Sequence, residues 1–64
     1  MNNKKAERLY HELRAGSWFK ATRKYVYYIV THQLDFGTEY QLRRYNRAVN
    51  RLEHEILYQV IECY

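Results

Sequence analysis

The chain has 64 residues and a formal net charge of +4, from 11 Lys+Arg against 7 Asp+Glu, with a single cysteine and no proline. That length allows one small domain, 1–64, which buries only about 60% of its unfolded surface. Lone Cys63 rules out an intramolecular disulfide and a four-cysteine zinc site. With no leader-like start and no apolar run near about 18 residues, neither secretion nor membrane spanning is expected, and the cytoplasm is the default compartment.

Asn2 or Asn3 can cap a first helix over about 3–15, because either side chain can accept an early free N–H. Ala6, Leu9, Tyr10 and Leu13 fall at helical spacing as its buried stripe. Gly16 then suits a left-handed stop at no Cβ cost, and Ser17 can cap the next helix.

The second segment, over about 18–33, contains Lys24-Tyr-Val-Tyr-Tyr-Ile-Val-Thr31, which has strand-like composition. Strict alternation fails, since Tyr27 adjoins Tyr28 and Ile29 adjoins Val30. Helical spacing gathers Trp18, Thr22, Tyr25, Val26, Ile29 and Gln33 on one side. A lone strand between helices would also lack partners for its backbone, so a helix is predicted. Leu34-Asp35-Phe36-Gly37 connects onward, with Gly37 free to take a positive φ and Phe36 expected against the core.

A third and longest helix is predicted over about 38–63. Thr38-Glu39-Tyr40-Gln41 reads as a capping box, and Leu42, Tyr45, Val49, Leu52, Ile56 and Cys63 recur at steps of three, four or seven. Its end is apolar almost all round, so Leu57, Tyr58, Ile61 and Tyr64 are candidates for contact with the earlier helices or for self-association into a homodimer. The expected architecture is therefore all-α, a three-helix bundle.

Arg43, Arg44, Arg47 and Arg51 would share the polar side of that last helix. Arg43, Arg47 and Arg51 would be i,i+4 neighbours, a repulsion of about 0.2–0.5 kcal/mol per pair that a mixed solvated face would avoid. Lys20, Lys24, Tyr27 and Tyr28 would add cations and rings that suit an interface. Either a solvated surface or one facing an anionic partner satisfies this pattern. The core reading takes Trp18, Phe19, Tyr25 and Tyr45.

Catalytic and metal chemistry find little footing. His11-Glu12 and His54-Glu55 each begin a zinc-protease motif, but Ala15 and Tyr58 stand where the second histidine is needed. No phosphate-binding glycine loop or nucleophile–base pair is evident. No catalytic residue, metal or cofactor is expected, and the protein reads as a non-enzyme.

Tyr45-x-x-Ala48-x-x-Arg51-Leu52, behind the acidic start Thr38-Glu39, resembles the long last helix of the Hha/YmoA nucleoid modulators. That family has Asp-His after the alanine, where this chain has Val49-Asn50. The resemblance implies a small all-helical protein that binds the dimerisation region of H-NS-type DNA-organising proteins. The functional expectation is a small basic protein that modulates or inhibits a protein partner bearing an acidic surface, by analogy with phage and mobile-element regulators. The alternative is direct nucleic-acid binding through the arginines.

Overall fold

The computed structural model describes residues 2–49 and 54–64. It contains one helix, α1 (Asn3–Ala15), followed by four strands: β1 (Phe19–Ala21), β2 (Tyr25–Leu34), β3 (Gly37–Asn46) and β4 (Glu55–Cys63). The strands form one antiparallel sheet in the order β1-β2-β3-β4. The all-α three-helix bundle is thereby overturned, and with it the helical layout that the Hha/YmoA resemblance implied.

Helix α1 forms within its expected bounds. The Asn2 side chain accepts the Lys5 N–H at 2.9 Å, which satisfies one of the helix's orphan donors. Ala6, Leu9, Tyr10 and Leu13 are buried. Gly16 caps the end at φ −116°, outside the left-handed region. That conformation falls instead on Trp18, at φ 64°, which costs a non-glycine residue about 1–2 kcal/mol. The indole is held there by its Nε1–H, which donates to the Arg14 carbonyl at 3.2 Å. Ser17 caps no helix; its hydroxyl donates to the Phe19 carbonyl at 3.0 Å.

The region 18–33 is β1 and most of β2 rather than a helix. Alternation of apolar with polar residues fails in β2 because both of its faces carry apolar and aromatic side chains. The objection that such a strand lacks backbone partners also falls. Residues 37–46, expected as the start of a helix, pair with it in register from Leu34↔Gly37 to Tyr25↔Asn46. Thr38 accordingly caps nothing, and its hydroxyl donates to Gln33 Oε1 at 3.4 Å. The predicted helix over 38–63 is β3 and β4, and Leu52 of its supposed stripe lies outside the described residues.

Gly37 has no positive φ. Glycine is needed there for close approach, since a Cβ would lie 2.3 Å from the Glu62 carbonyl oxygen and 2.9 Å from Cys63 Cα. Phe36, expected in the core, is 58% exposed.

The core lies between α1 and one face of the sheet. Leu9, Tyr10 and Leu13 of the helix meet fully buried Leu42 of β3, and Tyr27, Ile29, Tyr40, Leu57, Tyr58 and Val60 pack around them. Of the four residues expected to self-associate, Leu57 and Tyr58 are thus partly committed to the core. Ile61 and Tyr64 remain exposed. At the edge of this core the Arg14 guanidinium lies 3.9 Å from the Tyr40 ring centroid and 5.1 Å from that of Trp18. It donates to the Tyr10 hydroxyl at 2.8 Å. This cation closes the helix–sheet seam through ring contacts and a hydrogen bond.

Candidate interface on the open sheet face

Residues alternate between the two faces of a strand, so the helix-side set defines the other side. The open face carries Phe19 from β1, Val26, Tyr28, Val30 and His32 from β2, and Glu39, Gln41, Arg43 and Tyr45 from β3. Ile56, Gln59, Ile61 and Cys63 of β4 complete it. No helix or strand covers this face among the described residues, and Val26 and Gln41 on it are buried by their neighbours. Phe19 is 54% exposed and Ile56 52%, whereas a helical reading had placed Phe19 beside the core.

A polar ladder runs along β3 through the middle of the face. Arg43 donates to Gln41 Oε1 from Nε at 2.9 Å and from Nη2 at 2.6 Å. Gln41 in turn donates to Glu39 Oε1 at 3.2 Å, and Glu39 also accepts from His32 and from Gln59. The hydrogen bond from His32, foremost among these contacts, holds the Glu39 carboxyl below the usual carboxylate range. The acidic end of the ladder is therefore an ionised carboxylate held by hydrogen bonds from His32, Gln41 and Gln59. At the basic end Arg43 meets no carboxylate among the described residues.

Around Arg43 the tyrosines gather. Tyr28 stands directly across from it on β2. The rings of Tyr28, Tyr45 and His54 lie 5.3–6.1 Å apart, centroid to centroid, with Tyr28 hydrogen-bonded to His54. Partial burial raises the Tyr28 hydroxyl above its ordinary value, against the lowering pull of Arg43. At the same end of the sheet the Arg47 N–H donates to the Lys24 carbonyl at 2.9 Å, and its guanidinium to the Thr22 carbonyl, also at 2.9 Å. This brings Arg47 and Lys24 together, with exposed Arg23 beside them.

The sequence-derived site residues therefore divide. Arg43 and Tyr28 meet by cross-strand pairing, and Arg47 and Lys24 by a loop contact that leaves the Lys24 ammonium 5.4 Å over the Tyr25 ring. Arg44, next to Arg43 on a strand, points to the helix side, where it pairs with Glu55 and lies 4.4 Å over the Tyr25 ring. Lys20 and Tyr27, opposite each other in register, also face that side. Lys20 stands 4.0 Å from Glu12, and Tyr27 packs on the core. Arg51 lies outside the described residues. The helical reading missed Tyr45 and His54 as surface partners of Tyr28, and no local pattern joins residues 26 positions apart.

His32 and Cys63, considered as ligands, form no cluster of three or more metal-binding side chains among the described residues. No helix among them is long and apolar enough to cross a membrane. Compared with known proteins, the chain matches no family model, no curated protein and no solved structure.

Proposed function

We propose that this chain is a non-enzymatic binding protein that modulates a protein partner, and that the partner docks on the open sheet face at its Arg43 end. The observation that carries the reading is the composition of that surface. Tyr28, Tyr45 and Arg43, which meets no carboxylate among the described residues, sit among exposed Phe19 and Ile56. Aromatic residues and arginine are the types enriched at the centre of protein interfaces, and they supply most of the residues whose truncation costs binding energy. Arg23, Lys24 and Arg47 around the rim favour a partner with an acidic surface, chiefly by steering its approach. Exposed, unpaired Cys63 is at home in a reducing compartment such as the cytoplasm.

A second reading, binding of single-stranded nucleic acid, is favoured by one observation. The Tyr28–Tyr45–His54 cluster lies beside the Arg43 guanidinium, and stacking rings beside backbone-tracking cations are what such proteins use. The exposed isoleucines of β4 give it less support. Two experiments separate the readings. Tagged wild type and the Tyr28→Ala/Arg43→Ala variant are used to capture partners from lysate of the source cell. A defined protein held by wild type and lost from the folded variant is expected. Equal capture by both would remove this face from the argument. Anisotropy titration with labelled single strands at low salt tests the second reading, where binding should weaken by roughly 0.7 log units per phosphate contact per decade of salt.

A further inference from the structure

The free edge of β4 has a directional pattern of its own. The Tyr64 N–H donates to the Phe36 carbonyl at 3.0 Å, in line with the Gly37↔Cys63 register. Hydrogen-bonding direction alternates along a strand. The backbone groups of Tyr58, Val60 and Glu62 therefore turn inward to β3, while those of Gln59, Ile61 and Cys63 turn outward. No strand lies beyond them among the described residues. Natural sheets blunt such edges with lysine, proline or a bulge. Here the bulge sits at Leu57, where Leu42↔Tyr58 gives way to Arg43↔Ile56. The run Tyr58–Cys63 beyond it is regular, without lysine, arginine or proline. Its one charge, Glu62, is turned to Arg14 at 3.5 Å.

We infer that this edge is the pairing surface for a second copy of the chain, with β4 meeting its two-fold mate in antiparallel register about Ile61. A copy of itself satisfies this edge in two ways. A two-fold through Ile61 sets Gln59 against Cys63 of the mate and Ile61 against Ile61, so that each pair exchanges both N–H···O bonds. On the helix side the same register sets Val60 against Glu62 and Tyr58 against Tyr64, so no like charges stand directly opposite. The other edge of the sheet suits this less well. β1 covers part of β2, and what lies beyond carries Thr31, His32 and Gln33. Pairing at β4 would join the two sheets into one of eight strands with both helices on the same side, leaving the Arg43 end of each open face free.

The register makes Cys63 a built-in reporter. The Cα atoms of a hydrogen-bonded antiparallel pair lie about 5.5 Å apart, within disulfide reach. Positions 59 and 63 of one chain are about 13 Å apart along a strand and cannot bridge. Mild oxidation of the Gln59→Cys variant should yield a closed dimer with two disulfides, while wild type and Gln59→Cys/Cys63→Ser should give no such species. In sedimentation, wild type should run as a dimer at micromolar concentration, and Ile61→Lys as a monomer with unchanged circular dichroism. A monomeric wild type at high micromolar concentration overturns the inference. So does a ladder of singly bridged oligomers from Gln59→Cys. Dimers that persist in Ile61→Lys would also overturn it by placing the contact elsewhere.

Discussion

The two faces of the sheet use the same residue types for opposite ends. Under α1, Tyr10, Tyr27, Tyr40 and Tyr58 surround Leu42 and leave it no exposure. Arg14 is held there by rings and a hydroxyl. On the open face, Tyr28 and Tyr45 lean on His54, and among the described residues Arg43 is held by Gln41 and Tyr28. Tyrosine and arginine are thus structural on one side and available on the other. What decides between the roles is whether another element covers them.

The sharpest way to break that contrast is to truncate one residue on each side. Leu42→Ala should cost about 2–5 kcal/mol, the range for a buried leucine whose cavity closes only partly. Ile56→Ala, on the open face, should stay within about 0.5 kcal/mol. Urea denaturation of both variants measures the difference. A costly Ile56→Ala would mean that the open face is already covered in solution. Gly37→Ala follows in size, at about 1–3 kcal/mol, because the new methyl meets the Glu62 backbone at 2.3 Å rather than a side chain that could swing away. Arg14→Ala comes next. Loss of its ring contacts should cost about 1 kcal/mol and at most about 2, while Arg43→Ala should leave stability almost unchanged and weaken partner binding. If Arg43→Ala proves the more destabilising of the two, the division of roles between the faces is wrong.

The sequence was legible where one local rule governed. Helix α1 announced itself through an Asn2 cap and a single apolar stripe, and both are in place. The strands were hidden by three coincidences. β2 is apolar on both faces, which erases the two-residue period that identifies a half-exposed strand. β3 is rich in Glu, Gln, Leu and Arg, all good helix formers, and Thr38 with Gln41 imitates a cap. Leu42, Tyr45, Val49 and Ile56 then supplied a helical spacing across what is a strand, a loop and another strand. Leu42 and Tyr45 in fact lie on opposite faces. Pairing between β2 and β3 overrides these local preferences, and pairing is invisible to a window of neighbours. The site followed the fold. Arg43 pairs with Tyr28 across β3 and β2 and Arg47 meets Lys24 through a loop, while the helical reading that grouped them also swept in Arg44, Lys20 and Tyr27, which face the helix side.

The smallest effect separates the faces by titration. Burial raises the hydroxyls of Tyr10, beneath the helix, and Tyr28, on the open face, above the ordinary value of 10.0. A raised tyrosine pKa means that the folded state holds its proton more tightly than the unfolded chain. Each group's stabilisation is therefore fully present below pH 10 and is lost as pH rises through the folded value. Tyr10→Phe and Tyr28→Phe should each flatten the alkaline fall in stability, followed by urea denaturation from pH 9 upward. A neighbour test then tells the two apart. Arg43 lowers the Tyr28 value and Arg14 that of Tyr10, so Arg43→Ala should push ionisation of Tyr28 alone to higher pH. Tyrosinate absorbance in Arg43→Ala, with and without Tyr28→Phe, reads that shift. An unmoved Tyr28 would mean that the guanidinium turns away from the ring in solution, and the cation and the ring would then no longer form one surface.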